Sequence, residues 1–182
     1  ILTMESGAIS TGKLIIEENA SLIINNIHKD DINISSGTPK ISGLVYIENL
    51  DLIGKALITP ATTFLRDDNE YDDENIESHY QQQSGPVIVT RIKNLTMYPG
   101  SELSLRKYTP QMQFNQLQIN TLSGNGEFYL ESHLASGLSD QVVVSGQAYG
   151  HFGLTIEDSG YEPVTPNRVN VISINGGGDA QF

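Results

Sequence analysis

Ile47-Glu-Asn-Leu-Asp-Leu52, followed by Gly54-Lys-Ala-Leu-Ile58, is echoed by Ile92-Lys-Asn-Leu-Thr-Met97, followed by Gly100-Ser-Glu-Leu-Ser-Leu105. Phe114-Asn-Gln-Leu-Gln-Ile119, followed by Gly126-Glu-Phe-Tyr-Leu130, reads as a third copy. Each copy is a short apolar pair in strand alternation, closed by a glycine or asparagine turn. The second and third copies lie roughly 22 residues apart and the first two about twice that, a period typical of stacked solenoid coils. One such coil cannot bury its own apolar face, so neighbours must stack and the ends must be capped. The spacing predicts an all-β chain, a right-handed parallel β-helix, with Leu50, Leu95 and Leu117 one above another on its inner face.

Outward from these copies the pattern persists. Gly12-Lys-Leu-Ile-Ile16 and Asn19-Ala-Ser-Leu-Ile-Ile24 open the series, and no sustained i, i+3, i+4, i+7 stripe predicts a helix. The doubled first interval is explained by an insertion over residues 64–86, rich in Asp and Glu and ending near three glutamines. Such a segment cannot bury enough apolar surface to offset its ordering, and it is expected to protrude, with Ile76 and Tyr80 as its anchors.

The last third, Thr121 to Phe182, continues in short strands. Val142 and Val144 are expected on one face and Val143 on the other. Phe152, Leu154 and Ile156 alternate with Gly153, Thr155 and Glu157, a half-buried strand by pattern. Pro163 and Pro166 keep the following loop out of a central ladder. Val169 and Val171 lead to Ile172 and Ile174, and Gly176 to Gly178 end that strand.

Leu122-Ser-Gly-Asn-Gly126, Ser139-Asp-Gln-Val-Val-Val-Ser-Gly146, Ser159-Gly-Tyr-Glu-Pro163 and the closing Gly176-Gly-Gly-Asp-Ala-Gln-Phe182 occur in that order. Together they resemble the C-terminal end of the passenger of bacterial type V autotransporters, the pertactin and AIDA-I type, known as the autochaperone region. The resemblance covers about sixty residues directly. It implies a β-helix with a modified, hairpin-like C-terminal cap. It also implies residues 1–120 as coils carrying the 64–86 insertion and residues 121–182 as the autochaperone and cap. In that family this region precedes the outer-membrane β-barrel, folds first, templates the coils and supports secretion to the bacterial surface. The partners implied are the upstream passenger coils, the downstream barrel and a host surface or host protein. The absence of tryptophan and the acidic insertion depart from the family pattern.

The composition bounds the function. Acidic residues number 22 against 10 basic ones, a net charge of -12, which argues against nucleic acid and against docking on anionic lipid. With no cysteine there is no disulfide, thiol catalysis or cysteine-held zinc. No stretch is apolar for the roughly 20 residues that span a bilayer, so no direct membrane insertion is expected. The opening Ile1-Leu-Thr-Met-Glu5 is not a signal peptide, and a chain beginning in mid-pattern is expected to be an excised piece.

Chemical constellations are sparse. Asp67, Asn69 and Tyr71 imitate the start of a calcium loop, but its turn glycine and final glutamate are missing. Gly176-Gly-Gly-Asp179 occurs once, where calcium-binding repeats need stacked copies. His28, His79, His133 and His151 form no ligand pair and are expected on the surface or in turns. Asn19, Asn33 and Asn94 lie in formal glycosylation sequons, which arise by chance in an Asn- and Ser-rich chain. Asn49 and Asn94, at matching coil positions, are expected to cap backbone amides at turns. Asp51 and Glu102 are outward candidates for a glycan-active site, with no partner apparent in the sequence. No catalytic, cofactor-binding or metal residue is nominated, no cofactor is expected, and an enzyme is not expected. The functional expectation is a passenger's folding core, the whole passenger being an adhesin. The alternatives are a fragment of a glycan-active β-helix enzyme and a scaffold recruiting a host protein through the acidic loop.

Overall fold

A computed structural model describes residues 1–5, 7–26, 45–60, 88–105, 114–158, 160, 164 and 168–182. The acidic insertion, His28, His79, Asn33, Ile76, Tyr80, Pro163 and Pro166 lie outside the described residues. Two series of strands alternate along the chain. One comprises β2 (Ile9–Ile16), β4 (Val45–Leu52) and β6 (Ile88–Met97); the other comprises β1 (Leu2–Glu5), β3 (Ser21–Asn26), β5 (Lys55–Pro60) and β7 (Glu102–Ser104). Within each series the strands pair in parallel, and both series end on β8 (Asn115–His133), which runs along both. Each turn of chain thus adds one rung to each of two faces. The fold is the parallel β-helix that the repeats predict.

Registers show how the core is built. Ile47, Ile92 and Ile119 follow one another in one column, and Leu50, Leu95 and Leu122 in another. On the other face Ala56, Leu103 and Phe128 stack in one column. These side chains are buried and form one continuous apolar cluster, with burial contributing about 25 cal/mol for each Å² of apolar surface removed from water.

Leu50 and Leu95 are superposed as expected, but Leu117 is not their successor. It lies against Thr90 and Val142, and Leu122 takes the expected place. The reason is register: the Ile-x-x-Leu pair that continues Ile92 and Leu95 is Ile119 and Leu122, not Phe114 and Leu117. The residue opposite Met97 is Gly124. A Cβ on nearby Gly126 would come within 2.6 Å of the Met97 methyl. The repeat is accordingly longer than the 22 residues expected: Thr96 and Ser123 hydrogen bond across 27 positions, and Asn115 and Asp140 across 25. Asn49 and Asn94, by contrast, are 45 apart.

The two asparagines sit within β4 and β6 rather than capping turns. Asn94 Nδ2 donates to Asn49 Oδ1 at 2.8 Å, and Asn49 Nδ2 donates to the Gly12 carbonyl at 3.0 Å. A side-chain ladder therefore ties three coils together and draws the Asn94 sequon into a partly buried position.

Candidate functional site at the C-terminal cap

Four further strands close the solenoid: β9 (Leu138–Ser139), β10 (Gln141–Val144), β11 (Ala148–Asp158) and β12 (Ile172–Ile174). β10 lies on the first half of β8 and β12 lies on β10, while β11 covers the second half of β8 from Leu122 to Ser132. β9 returns antiparallel on the end of β8 through the 3-10 turn Leu134–Ser136. This is the hairpin of the cap, and it is the one antiparallel ladder among the described residues.

Asp140, between β9 and β10, holds this arrangement together. Its side chain is buried. Oδ1 accepts from the Asn115 backbone N–H at 2.7 Å, and Oδ2 accepts from the Glu131 N–H at 2.9 Å. One carboxyl thereby satisfies backbone donors near both ends of β8, which would otherwise be buried without partners. Burial pushes its pKa up to about 7, against the downward pull of the N–H donors. A second carboxyl secures the hairpin: Asp158 Oδ1 accepts from Ser132 Oγ at 3.0 Å and from the Leu134 N–H at 3.2 Å.

His133, expected on the surface or in a turn, is the last residue of β8, where it caps the 3-10 turn and is buried. Its Nδ1 lies 2.7 Å from Ser136 Oγ and accepts from the Ser136 N–H. Burial lowers its pKa, partly offset by the charge of Asp158. His151 is exposed on β11.

Gly150 lies opposite Gly124, and Gly178 lies opposite Ala148. Gly124, Gly150 and Gly178 have φ of 102°, 120° and 114°, in the left-handed half of backbone space that side chains disfavour. A Cβ on Gly150 would come within 1.8 Å of the Gly124 carbonyl oxygen, and one on Gly178 within 1.9 Å of the Ala148 carbonyl oxygen. The glycine run near the C-terminus thus adds a closing rung, pairing Gly178 with Ala148 and Gln181 with His151.

Apolar closure comes from Phe128, Phe152 and Phe182. Phe152 and Phe182 stack with centroids 5.3 Å apart, and Phe128 lies 5.8 Å from Phe152. Val142 and Val144 point inward with Val143 between them, as the alternation predicts. The expectation fails for Ile156, which is 43% exposed. The alternation of β11 holds at Phe152 but fades beyond Leu154, because the closing rung pairs with β11 only at its first residues. Val169 and Val171 precede the last strand instead of belonging to it, although the Val171 carbonyl accepts from the Val142 N–H at 2.8 Å.

The two outward carboxylates considered as glycan-active candidates are not unpaired. Asp51 forms an ion pair with Lys13, and Glu102 pairs with Lys55 at 2.9 Å. Each lysine comes from the neighbouring coil, which is why the partners could not be seen from local sequence. Among the described residues no group of three or more His, Asp and Glu could hold a metal ion, and no helix is long and apolar enough to cross a membrane.

The cap geometry coincides with a match to known proteins. The Pertactin family model matches residues 92–182, from β6 to the closing rung. The chain belongs to the pertactin family. This pertactin-type segment is a passenger region of a type V autotransporter, a protein of the bacterial outer membrane and cell surface. It is 39% identical over 69 residues to the probable autotransporter YpjA of Escherichia coli K12, covering 38% of this chain and 4% of that protein. It is 38% identical over 76 residues to the autotransporter adhesin/invasin TibA of E. coli O78:H11, covering 42% of this chain and 8% of that protein. The BrkA autotransporter of Bordetella pertussis is 29% identical over 94 residues, 51% of this chain and 9% of that protein. The chain thus spans less than a tenth of the length of these relatives. No solved structure matches it.

Sequence reading quoted Asp140 only as part of a motif and missed its role. The available signal was a lone acidic residue leading directly into the apolar run Val142–Val144, a position where a solvated side chain is costly to place.

Proposed function

We propose that Thr121 to Phe182 is the autochaperone of the passenger: it folds first, templates the coils before it and supports secretion to the surface. The observation that supports this most directly is the double use of β8. One edge carries β6 and β7 of the solenoid, and the other carries β10 and β11 of the cap. Once Asp140 and the three phenylalanines close the cap, β8 offers a formed rung on which the next coil can pair. Propagation in a solenoid is nearest-neighbour, so a completed rung lowers the cost of the following one.

Among the described residues, β1 pairs only with β3 and β2 only with β4, and Ile1, Ile9 and Ile15 are exposed. Upstream passenger coils are the proposed partners of these strands, and an outer-membrane β-barrel is the proposed downstream partner. The relatives bear different names, TibA an adhesin/invasin and another an immunoglobulin A1 protease of Haemophilus influenzae, matched at 43% identity over 51 residues. That relatives so differently named share this segment supports a folding role over a single shared activity. A non-enzymatic, adhesin-type passenger with a host ligand remains the reading for the whole protein.

The test compares Val144→Ala in the cap with Leu22→Ala in β3, both fully buried, in the full passenger on cells. Each is expected to cost roughly 1–5 kcal/mol. The cap variant should leave the passenger protease-sensitive or stalled in export, while the upstream variant should reach the surface nearly normally. Equal behaviour at matched destabilisation would reduce the terminal segment to a passive cap.

A further inference from the structure

The chain holds two Asn-Gly pairs, Asn125-Gly126 and Asn175-Gly176. In this dipeptide the asparagine side chain is most open to attack by the following backbone nitrogen, since glycine leaves the approach clear and the backbone free to turn. The fold treats the two pairs differently. Asn125 lies inside β8 with β11 laid along it, and its Oδ1 accepts from the His151 N–H at 3.3 Å. Ladder and side-chain bond together hold both the backbone and the amide.

Asn175-Gly176 is the junction between β12 and the closing rung, and both residues are exposed. The Asn175 N–H donates to the Val144 carbonyl at 2.9 Å, and the chain is next held where the Gly177 carbonyl accepts from the Ala148 N–H at 3.0 Å. Between these anchors, neither the Asn175 side-chain amide nor the Gly176 N–H has a partner among the described residues. The amide carbon and the nitrogen that attacks it are thus adjacent and open to water, in the kind of segment that opens most readily.

We propose that Asn175 is a site of spontaneous deamidation, and that its isoaspartate product loosens the closing rung. The Gly176 nitrogen gives up its proton to hydroxide and bonds to Cγ of Asn175. The Cγ–Nδ2 bond breaks, and Nδ2 leaves as ammonia with a proton taken from water. The five-membered succinimide then adds one water and opens at either carbonyl, to aspartate or to isoaspartate. Isoaspartate inserts a methylene into the backbone beside Gly176, where even a Cβ would come within 2.2 Å of the Gly146 carbonyl oxygen. The chain displaced by it carries the bridges of Gly178 to Ala148 and of Gln181 to His151. The proposal is independent of the autochaperone reading, since it concerns the chemistry of the folded cap.

The test incubates the 182-residue chain at pH 8, folded and in urea, and follows both asparagines by peptide mapping that separates aspartate from isoaspartate. The ratio of conversion at Asn175 to that at Asn125 should be at least tenfold larger in the folded chain than in urea. An equal ratio in the two states, or no folded-state conversion at Asn175, would overturn the site. The aged chain should melt lower than the fresh one. Asn175→Asp carries the new charge without the extra methylene and should melt as fresh wild type does, while Asn175→Gln should age without change. An aged chain containing isoaspartate with an unchanged melting temperature, or an equal drop in Asn175→Asp, would overturn the effect on the closing rung.

Discussion

Asp140→Asn isolates the carboxyl that ties the cap to β8. The amide keeps one oxygen acceptor and turns its NH₂ toward the second backbone donor, so one of the bonds from Asn115 and Glu131 is lost. Leaving one buried N–H unsatisfied costs about 1–3 kcal/mol. The larger signature is in pH. The folded-state pKa of Asp140 is raised from 3.8 to about 7, so the folded chain holds this proton more tightly than the unfolded one. Its contribution is therefore fully present below pH 4 and is lost as pH rises toward 7. At about 1.4 kcal/mol for each tenfold in proton affinity, the loss amounts to about 4 kcal/mol at most. For a chain of this size that corresponds to roughly 10 °C in melting temperature. His133 acts in the opposite sense. Burial lowers its pKa from 6.5, so its contribution improves as pH rises through that region. Thermal unfolding followed by circular dichroism at pH 5, 6, 7 and 8 measures the balance. The wild-type chain should lose stability across the series. Asp140→Asn should be flat or rise slightly, carrying only the His133 contribution. Parallel profiles for the two proteins, or a wild-type curve that climbs from pH 5 to 8, would refute the assignment of a buried proton to Asp140.

Two other perturbations test the closure of the cap. Gly150→Ala forces a side chain against the Gly124 carbonyl at φ +120°, whereas Gly100→Ala at φ +87° meets open space. The first should cost several kcal/mol in urea unfolding and the second only about 1–2 kcal/mol, the strain of a left-handed backbone alone. Phe128→Ala, at the fully buried centre of the aromatic stack, should cost about 3–5 kcal/mol. A near-neutral result there would mean that the phenylalanines do not close the core.

Some of this protein could be read from its sequence alone. The alternation of apolar residues within a rung is a local property, and the repetition of Ile-x-Asn-Leu at Ile47 and Ile92 carries it from one coil to the next. That sufficed for the parallel β-helix, for the superposition of Leu50 on Leu95 and for the inward Val142 and Val144. What the sequence could not show is whatever depends on the neighbour across the stack. Leu122 and not Leu117 continues the Leu95 column, because Ile119-x-x-Leu122 is the pair that stacking brings onto Ile92-x-x-Leu95. The partners of Asp51 and Glu102 became visible only with the register, since Lys55 and Glu102 lie 47 positions apart. Ile156 follows the strand alternation yet is exposed, because alternation sets direction while burial requires another coil on top. Asp140 looks like a solvated acid in the chain. It is a buried clasp in the fold, because the donors it satisfies are brought to it from 25 and 9 positions away by the stacking itself.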